Sequence, residues 1–108
     1  MIDTQMLKGV IEAIVLETIR RNETYGYKIV EELKIKGFYT LTEGTIYPIL
    51  KRLSSKGYIL GVLKKSNIGP IRKYYYITPK GREYLQKFLI NRDDLKNGVN
   101  SVFNLEDK

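Results

Sequence analysis

The chain has 108 residues, of which 43% are hydrophobic and 29% are charged, and its formal net charge at pH 7 is +7. This length predicts one domain, and the composition is ordinary for a globular protein. Because cysteine and histidine are both absent, the chain lacks disulfides, the usual zinc ligands and the usual general base. It also lacks a phosphate loop, a paired-carboxylate motif and a nucleophile elbow, so we expect neither an enzyme nor a bound metal or cofactor.

We expect neither a membrane segment nor an export signal in this chain. No apolar run approaches the length of about 18 residues that a membrane span needs. The start, MIDTQMLKG, has no basic region followed by an apolar one, so it does not resemble a signal peptide. The absence of cysteine is typical of a reducing compartment. We therefore expect a cytoplasmic protein with no membrane partner.

The positive charge is concentrated in the middle third of the chain. Residues 1–43 hold six basic and seven acidic side chains, and residues 83–108 hold four and five. Residues 44–82 hold nine basic side chains and no acidic one. A field of one sign suits a polyanion, and double-stranded DNA is the first candidate. The nine residues are Lys51, Arg52, Lys56, Lys64, Lys65, Arg72, Lys73, Lys80 and Arg82.

The first half of the chain predicts three helices. Apolar residues recur at a spacing of three or four over residues 4–22, which indicates one amphipathic helix. Thr24 is the expected N-cap of a second helix, TYGYKIVEELK, which ends at Gly37. Thr42 is the expected N-cap of a third helix, and Glu43 in its first turn suits the helix dipole.

The third helix contains a glycine and a proline, Gly44 and Pro48, on its outward side. In a helix interior these residues cost about 1 and about 3 kcal/mol respectively. Gly44 would let the backbone approach a phosphate or a base edge, and Pro48 would remove one backbone hydrogen bond and bend the first turn. One interpretation is that both residues only shape packing against the second helix. The other is that the bent turn aims three side chains into a major groove, namely those of Thr42, Thr45 and Tyr47.

The second half predicts a β-hairpin followed by a long helix. YILGVLKK and RKYYYIT are typical strands, and SNIGPI between them is typical of a turn. Alternation places Tyr75 and Ile77 on the core face and Tyr74 and Tyr76 on the other face. A threonine and a proline, Thr78-Pro79, then begin the last helix, which is expected to run from about residue 79 towards 105.

The order helix, helix, turn, helix, hairpin, helix predicts a winged helix-turn-helix. The expected fold class is therefore mostly α with a small β-hairpin. A winged helix-turn-helix DNA-binding domain would span residues 1–80, and a C-terminal dimerisation helix would span residues 81–108.

Four segments follow one another in the chain, namely LKGVIEAIVLETI, YGYKIVEEL, TEGTIYPILKRLSSKGYI and RKYYYITPKG. They resemble the PadR-like family of transcriptional regulators, and the resemblance covers residues 7–85 in order. The short C-terminal part, a single helix, resembles the smaller subgroup of that family. The resemblance implies a winged-helix repressor that forms a homodimer through its N- and C-terminal helices and whose DNA affinity responds to a ligand.

The candidate DNA-binding residues lie on the outward face of the third helix, at the start of the second helix and on the two strands of the hairpin. Arg52 would contact a phosphate or read a guanine, or else it pairs with Glu31 or Glu32. Tyr27 would hold a phosphate, or else it is a core residue. The full set is Tyr25, Tyr27, Lys28, Thr42, Glu43, Gly44, Thr45, Tyr47, Lys51, Arg52, Ser55, Lys64, Lys65, Arg72 and Lys73.

The last helix carries apolar residues at alternating spacings of three and four, which is a heptad seam with Arg92 inside it. A surface helix packed on its own core is one account, but a partner helix fits better because the seam extends so far, and a two-fold homodimer is the commonest form. The candidate residues for the dimer interface or effector pocket are Ile11, Ile14, Val15, Leu85, Phe88, Leu89, Arg92, Leu95, Val99 and Val102.

A small aromatic or hydrophobic effector is a further candidate partner. Some multidrug-binding relatives hold planar cationic compounds on a tryptophan of the last helix, and the matching position here is Arg92. This cation would repel cationic drugs and attract an acidic or phenolic effector. The alternative is that Arg92 pairs with Asp93 or Asp94 of the partner subunit and sets the register.

The sequence thus favours a sequence-specific DNA-binding transcriptional regulator, a ligand-responsive dimeric repressor. One alternative is a sensor whose essential property is ligand capture, with DNA binding as its output. The other is a winged-helix protein-interaction module without DNA binding, and the acid-free middle third argues against it.

Overall fold

The computed structural model describes residues 4–65 and 69–104 of the chain. Within these residues, the four predicted helical segments and one antiparallel hairpin occur in the predicted order, with the first segment divided into two helices. The predicted winged helix-turn-helix with a long C-terminal helix is therefore confirmed. No helix in this part of the chain is long and apolar enough to cross a bilayer. The elements are α1 (Thr4–Lys8), α2 (Ile11–Arg21), α3 (Gly26–Ile35), α4 (Glu43–Ser55), β1 (Ile59–Lys64), β2 (Arg72–Ile77) and α5 (Pro79–Val102).

The single helix predicted for residues 4–22 is wrong, because the chain breaks into α1 and α2 at Gly9 and Val10. The Val10 amide donates to the Leu7 carbonyl at 3.0 Å, which closes a turn between the two helices. Glycine is a weak helix former, so a break here costs little. Leu7 is 5% exposed and belongs to the core. Periodicity missed the break because Leu7 and Ile11 keep the helical spacing of four across it.

The expected N-cap of α3 is also wrong. Tyr25 is the N-cap residue, with extended backbone and no side-chain cap, and the Thr24 side chain is buried. The Thr24 carbonyl accepts a hydrogen bond of 2.8 Å from the Tyr75 amide, and the two residues form an isolated β-bridge. Thr24, two residues before α3, therefore connects the helix-turn-helix to the hairpin instead of capping the helix.

The inward face of α4 forms the centre of the core, as its periodicity predicts. Four apolar residues of α4 are at most 3% exposed, and they pack with residues of α2 and α3 such as Leu16 and Ile29. Burying each such side chain stabilises the fold by about 1.5–3 kcal/mol. The four residues are Ile46, Ile49, Leu50 and Leu53.

An N-cap at the start of α4 and glycines after α3 and α4 lie where the sequence predicts them. The Thr42 side chain accepts from the Thr45 amide at the start of α4, and Gly37 and Gly57 follow α3 and α4 with φ of 104° and 79°. A positive φ strains any residue with a side chain, which explains glycine at both exits.

The wing is the hairpin of β1 and β2, paired from Ile59 with Ile77 to Lys64 with Arg72. Tyr75 is 7% exposed and faces the core, as expected, whereas Tyr74 and Tyr76 are half-buried. Residues 66–68 of the predicted turn lie outside the described part of the chain.

Helix α5 begins at the wing and then extends away from the core. The Thr78 side chain accepts from the Gly81 amide at 3.1 Å, which confirms the predicted N-cap with Pro79 after it. The helix ends at Val102 with Phe103 as its C-cap, and residue 105, towards which the prediction ran, lies outside the described residues. The described molecule measures 56 Å along its longest axis and 22 Å along its shortest.

Candidate nucleic-acid interface

The outward face of α4 is polar, basic and free of bulky packing near its N-terminus. Among the described atoms outside the adjacent backbone of α4, a Cβ added at Gly44 would meet only the Thr42 Oγ1, at 3.6 Å, so the backbone is bare on this side. The interior proline, Pro48, is exposed on the same face. The structure thus brings together the predicted α4 residues on one exposed surface, namely Thr42, Glu43, Gly44, Thr45, Tyr47, Lys51, Arg52 and Ser55.

Tyr47 links this surface to the first turn of α3. A Cβ added at Gly26 would lie only 2.8 Å from the Tyr47 Cε1, so the ring rests directly on the glycine backbone. Tyr47 stays 48% exposed and lines a shallow groove of about 250 Å³ together with Tyr25, Arg72 and Lys73. Sequence reasoning missed Gly26, although a glycine as the first residue of a helix was a signal that something packs against it.

The two α4 cations are available to an anion. Lys51 and Arg52 are exposed, and neither forms an ion pair with any residue in the ranges 4–65 and 69–104. The alternative interpretation, an ion pair between Arg52 and Glu31 or Glu32, is therefore wrong for the described residues.

The wing cations differ in how they are held. The Arg72 guanidinium lies 4.4 Å from the centroid of the Tyr25 ring, and Tyr25 in turn meets Tyr74 edge-on at 5.3 Å between ring centroids. This stack fixes Arg72 at the start of α3 by a cation–π contact. Lys65 and Lys73 are exposed and make no ion pair with the described residues.

Lys64 is held by an acid. Its Nζ lies 2.8 Å from a carboxylate oxygen of Glu23, in the segment between α2 and α3, and the Tyr76 hydroxyl donates to the same oxygen. The hydrogen bond from Lys64, followed by that from Tyr76, lowers the pKa of Glu23, and the same contact with Glu23 raises the pKa of Lys64. Sequence reasoning missed Glu23, because nothing local connects it to a strand 41 residues away.

The start of α3 presents two further candidates. Tyr27 is 49% exposed, so the interpretation of Tyr27 as a core residue is wrong. A hydrogen bond with the Glu31 carboxylate raises the pKa of the Tyr27 hydroxyl. Lys28 is exposed beside it.

Not every basic residue of the middle third belongs to this surface. Lys56 forms an ion pair of 3.1 Å with Glu12 of α2, and the Lys80 ammonium lies over the Tyr58 ring. Arg82 lines a separate groove beside α2. The charge pattern therefore overestimated the cations that face a common partner.

That second groove has a volume of about 600 Å³ and lies between α2, the end of α3 and the first half of α5. Of the residues expected at a dimer interface or effector pocket, five line it. The Arg92 guanidinium pairs with Asp93 of its own chain at 3.3 Å. The five residues are Ile14, Leu85, Phe88, Leu89 and Arg92.

The other expected interface residues divide into two groups. Val15 is fully buried in the core of its own protomer, which corrects its placement at an interface, and Ile11 packs half-buried against that core. Leu95, Val99 and Val102 are 69%, 44% and 79% exposed on the outer half of α5. No other described element of the protomer covers them.

Comparison with known proteins assigns this arrangement to a family. The family model "Transcriptional regulator PadR-like family" matches residues 15–87. The crystal structure of a PadR-like transcriptional regulator from Bacillus cereus superposes with a TM-score of 0.84 at 43% identity, covering 95% of this chain and 100% of that one.

The chain is also similar to a protein of Bacillus subtilis. The negative transcriptional regulator PadR of strain 168 is 27% identical over 99 residues, which is 90% of this chain and 54% of PadR. The crystal structure of Bacillus subtilis PadR in complex with operator DNA matches with a TM-score of 0.68 at 29% identity, covering 75% of this chain and 47% of that one. This chain thus spans about half the length of that relative. From the match of the family model to most of its length, the chain belongs to the PadR-like family of transcriptional regulators.

Proposed function

We propose that this transcriptional regulator is a dimeric repressor that binds operator DNA with the first turns of α4 in the major groove and the wing on the neighbouring backbone. The observation that carries the proposal is the bare, exposed N-terminal face of α4, next to Lys51 and Arg52, two cations that form no ion pair with the described residues. Recognition helices read base edges with their N-terminal residues. One relative supports the proposal, because Bacillus subtilis PadR is a negative transcriptional regulator and has been crystallised with operator DNA.

The proposed contacts divide by chemistry. Thr42 and Thr45 can bond to base edges, Glu43 can accept from a cytosine amino group, and Arg52 can donate to a guanine. The remaining residues would contact phosphates, which position the protein without reading sequence. These are Tyr25, Tyr27, Lys28, Tyr47, Lys51, Ser55, Lys65, Arg72 and Lys73.

The salt dependence of binding to duplex DNA tests this proposal. Lys51→Gln removes one proposed phosphate contact from each protomer of a dimer. The slope of log affinity against log salt concentration should therefore become shallower by about 1.8. Lys87→Gln is the matched control, since Lys87 lies on α5 in an ion pair with Glu83. The control should leave the slope unchanged. An affinity that does not change between about 50 and 200 mM salt would favour a protein-interaction module instead.

We propose that the outer half of α5 pairs with a second copy of this chain. Its exposed apolar seam at Leu95, Val99 and Val102 has no partner among the described residues of the protomer. Paired recognition helices also fix the spacing of two half-sites. Leu95→Glu should shift the protein from dimer to monomer in analytical ultracentrifugation, and a wild-type monomer at micromolar concentration would contradict the proposal.

An acidic or phenolic effector is the proposed ligand of the groove between α2 and α5. The groove combines an apolar floor that includes Phe88 with an excess of cations, because five basic side chains and two acidic ones, Glu17 and Glu32, line it. The basic residues are Arg20, Arg21, Lys36, Arg82 and Arg92. Arg92→Ala should weaken the response to aromatic carboxylates and phenols while leaving operator binding intact. An unchanged response would exclude Arg92 from the site.

A further inference from the structure

Glu23 connects the helix-turn-helix to both strands of the wing. Its Oε2 accepts from Lys64 at the end of β1 and from the Tyr76 hydroxyl on β2. The Glu23 carboxylate lies in the short segment between α2 and α3, beside the proposed phosphate contacts at the start of α3. One acid therefore fixes the position of a wing cation that the charge pattern assigns to DNA.

The Lys64 ammonium has aromatic partners as well as an anionic one. Its Nζ lies 5.4 Å from the Tyr74 ring centroid and 5.3 Å from the Tyr76 ring centroid. Each distance is within the range of a cation–π contact. An isolated exposed ion pair holds a lysine only weakly, but a carboxylate shared by two donors beside two rings forms a network whose members support one another.

Lys64 differs in this respect from its neighbours on the wing. Lys65 and Lys73 are exposed and have no ion pair in the described part of the chain. Lys64 keeps 43% of its side chain exposed, so a phosphate could reach it if Glu23 did not occupy it. Glutamate is ionised at neutral pH, and the hydrogen bond from Lys64 lowers the pKa of Glu23 further, so the competing anion is present at neutral pH.

We propose that Glu23 is a positioning residue that withholds Lys64 from DNA phosphates and so limits the sequence-independent part of the affinity. The inference rests on the proposed DNA-binding function and adds to it that the wing contacts phosphates with fewer cations than it carries. Because phosphate contacts supply essentially all of non-specific binding, occupying one cation per protomer weakens binding to every sequence, while the base contacts of α4 stay in place.

A double-mutant cycle with Glu23→Gln and Lys64→Gln tests this. Glutamine is isosteric with glutamate and the site is exposed, so both variants should fold. Each released Lys64 adds about one phosphate contact, so in a dimer Glu23→Gln should steepen the salt slope by about 1.8. The affinity should then fall about twelvefold more than for wild type between 50 and 200 mM salt.

The substitution of Lys64 distinguishes withholding from a general charge effect. In the wild-type background, Lys64→Gln should leave the salt slope almost unchanged. In the Glu23→Gln background, the same substitution should make the salt slope shallower by about 1.8. Equal losses in both backgrounds would overturn the inference, since Lys64 would then contact DNA in spite of Glu23. An unchanged slope in Glu23→Gln would also overturn it, since Lys64 would then never reach DNA.

Two further measurements separate this inference from the proposed function. Lys73→Gln is the matched wing control, and it should make the salt slope shallower in both backgrounds. A wild-type protein that does not bind duplex DNA would refute the proposed function itself. In the free protein, the ammonium resonance of Lys64 should exchange its hydrogens slowly in wild type and rapidly in Glu23→Gln. Equal exchange in both would overturn the Glu23 contact without any DNA present.

Discussion

Two glycines of α5 should respond in opposite ways to the same substitution by alanine. Gly81 lies in the first turn of α5, where the helix passes the start of β1. A Cβ added there would lie 2.3 Å from the Tyr58 carbonyl oxygen and 2.9 Å from the Ile77 Cγ1. The same carbonyl accepts a hydrogen bond of 3.0 Å from the Thr78 amide, so it cannot move without disturbing the N-cap of α5.

The expected effect of Gly81→Ala follows from two opposing contributions. Overpacking a close contact costs about 1–3 kcal/mol, and the upper end applies because the obstructing atom is backbone. Alanine in a helix gains about 1 kcal/mol over glycine. The net destabilisation is about 2 kcal/mol, which for a chain of this size lowers the melting temperature by about 10 °C.

Gly98 is the matched control on the same helix. Beyond its neighbours in the chain and the adjacent backbone of α5, no described atom of the protomer lies within 4 Å of a Cβ added at Gly98. Gly98→Ala should therefore keep only the helical gain of about 1 kcal/mol and raise the melting temperature by about 5 °C. Differential scanning calorimetry of both variants measures the contrast. A Gly81→Ala protein as stable as wild type would refute the close packing of α5 on the wing.

Three further outcomes are expected. Thr78→Ala should lower the unfolding free energy by about 2 kcal/mol in chemical denaturation, because it loses both the N-cap bond and the bond from its hydroxyl to the exit of α4, and Thr78→Ser should restore most of this. The Arg20 guanidinium lowers the pKa of Glu17 from 4.5 to about 2, so the stability due to Glu17 is fully present above pH 4.5 and is lost as the pH falls towards 2. Melting curves of wild type and Glu17→Gln should therefore converge on acidification, and a constant difference would contradict this. Gly26→Ala should displace the Tyr47 ring and weaken operator binding in electrophoretic shift assays with little change in melting temperature, whereas normal binding would exclude the Tyr47 position from recognition.

The sequence by itself predicted the order of the elements, apart from the break at Gly9 and Val10, and it predicted which face of α4 is exposed. Helical periodicity sorted α4 into a buried face and an exposed face, because each residue of a helix advances by a fixed angle. Capping chemistry located Thr42 and Thr78, since a hydroxyl that accepts from an amide two or three positions later is a local interaction. The acid-free middle third indicated an anionic partner before any contact was known.

Only the tertiary structure decided which charges and glycines meet distant partners. Lys64 forms an ion pair with Glu23, which lies 41 positions earlier, and Lys56 forms one with Glu12, which lies 44 positions earlier. The Tyr47 ring rests on Gly26. No pattern along the chain specifies such pairs, because they depend on how α2, α3 and the wing pack around α4. Each lysine contributes one positive charge to the sequence total. The tertiary structure determines which lysines are paired with an acid and which face solvent without one.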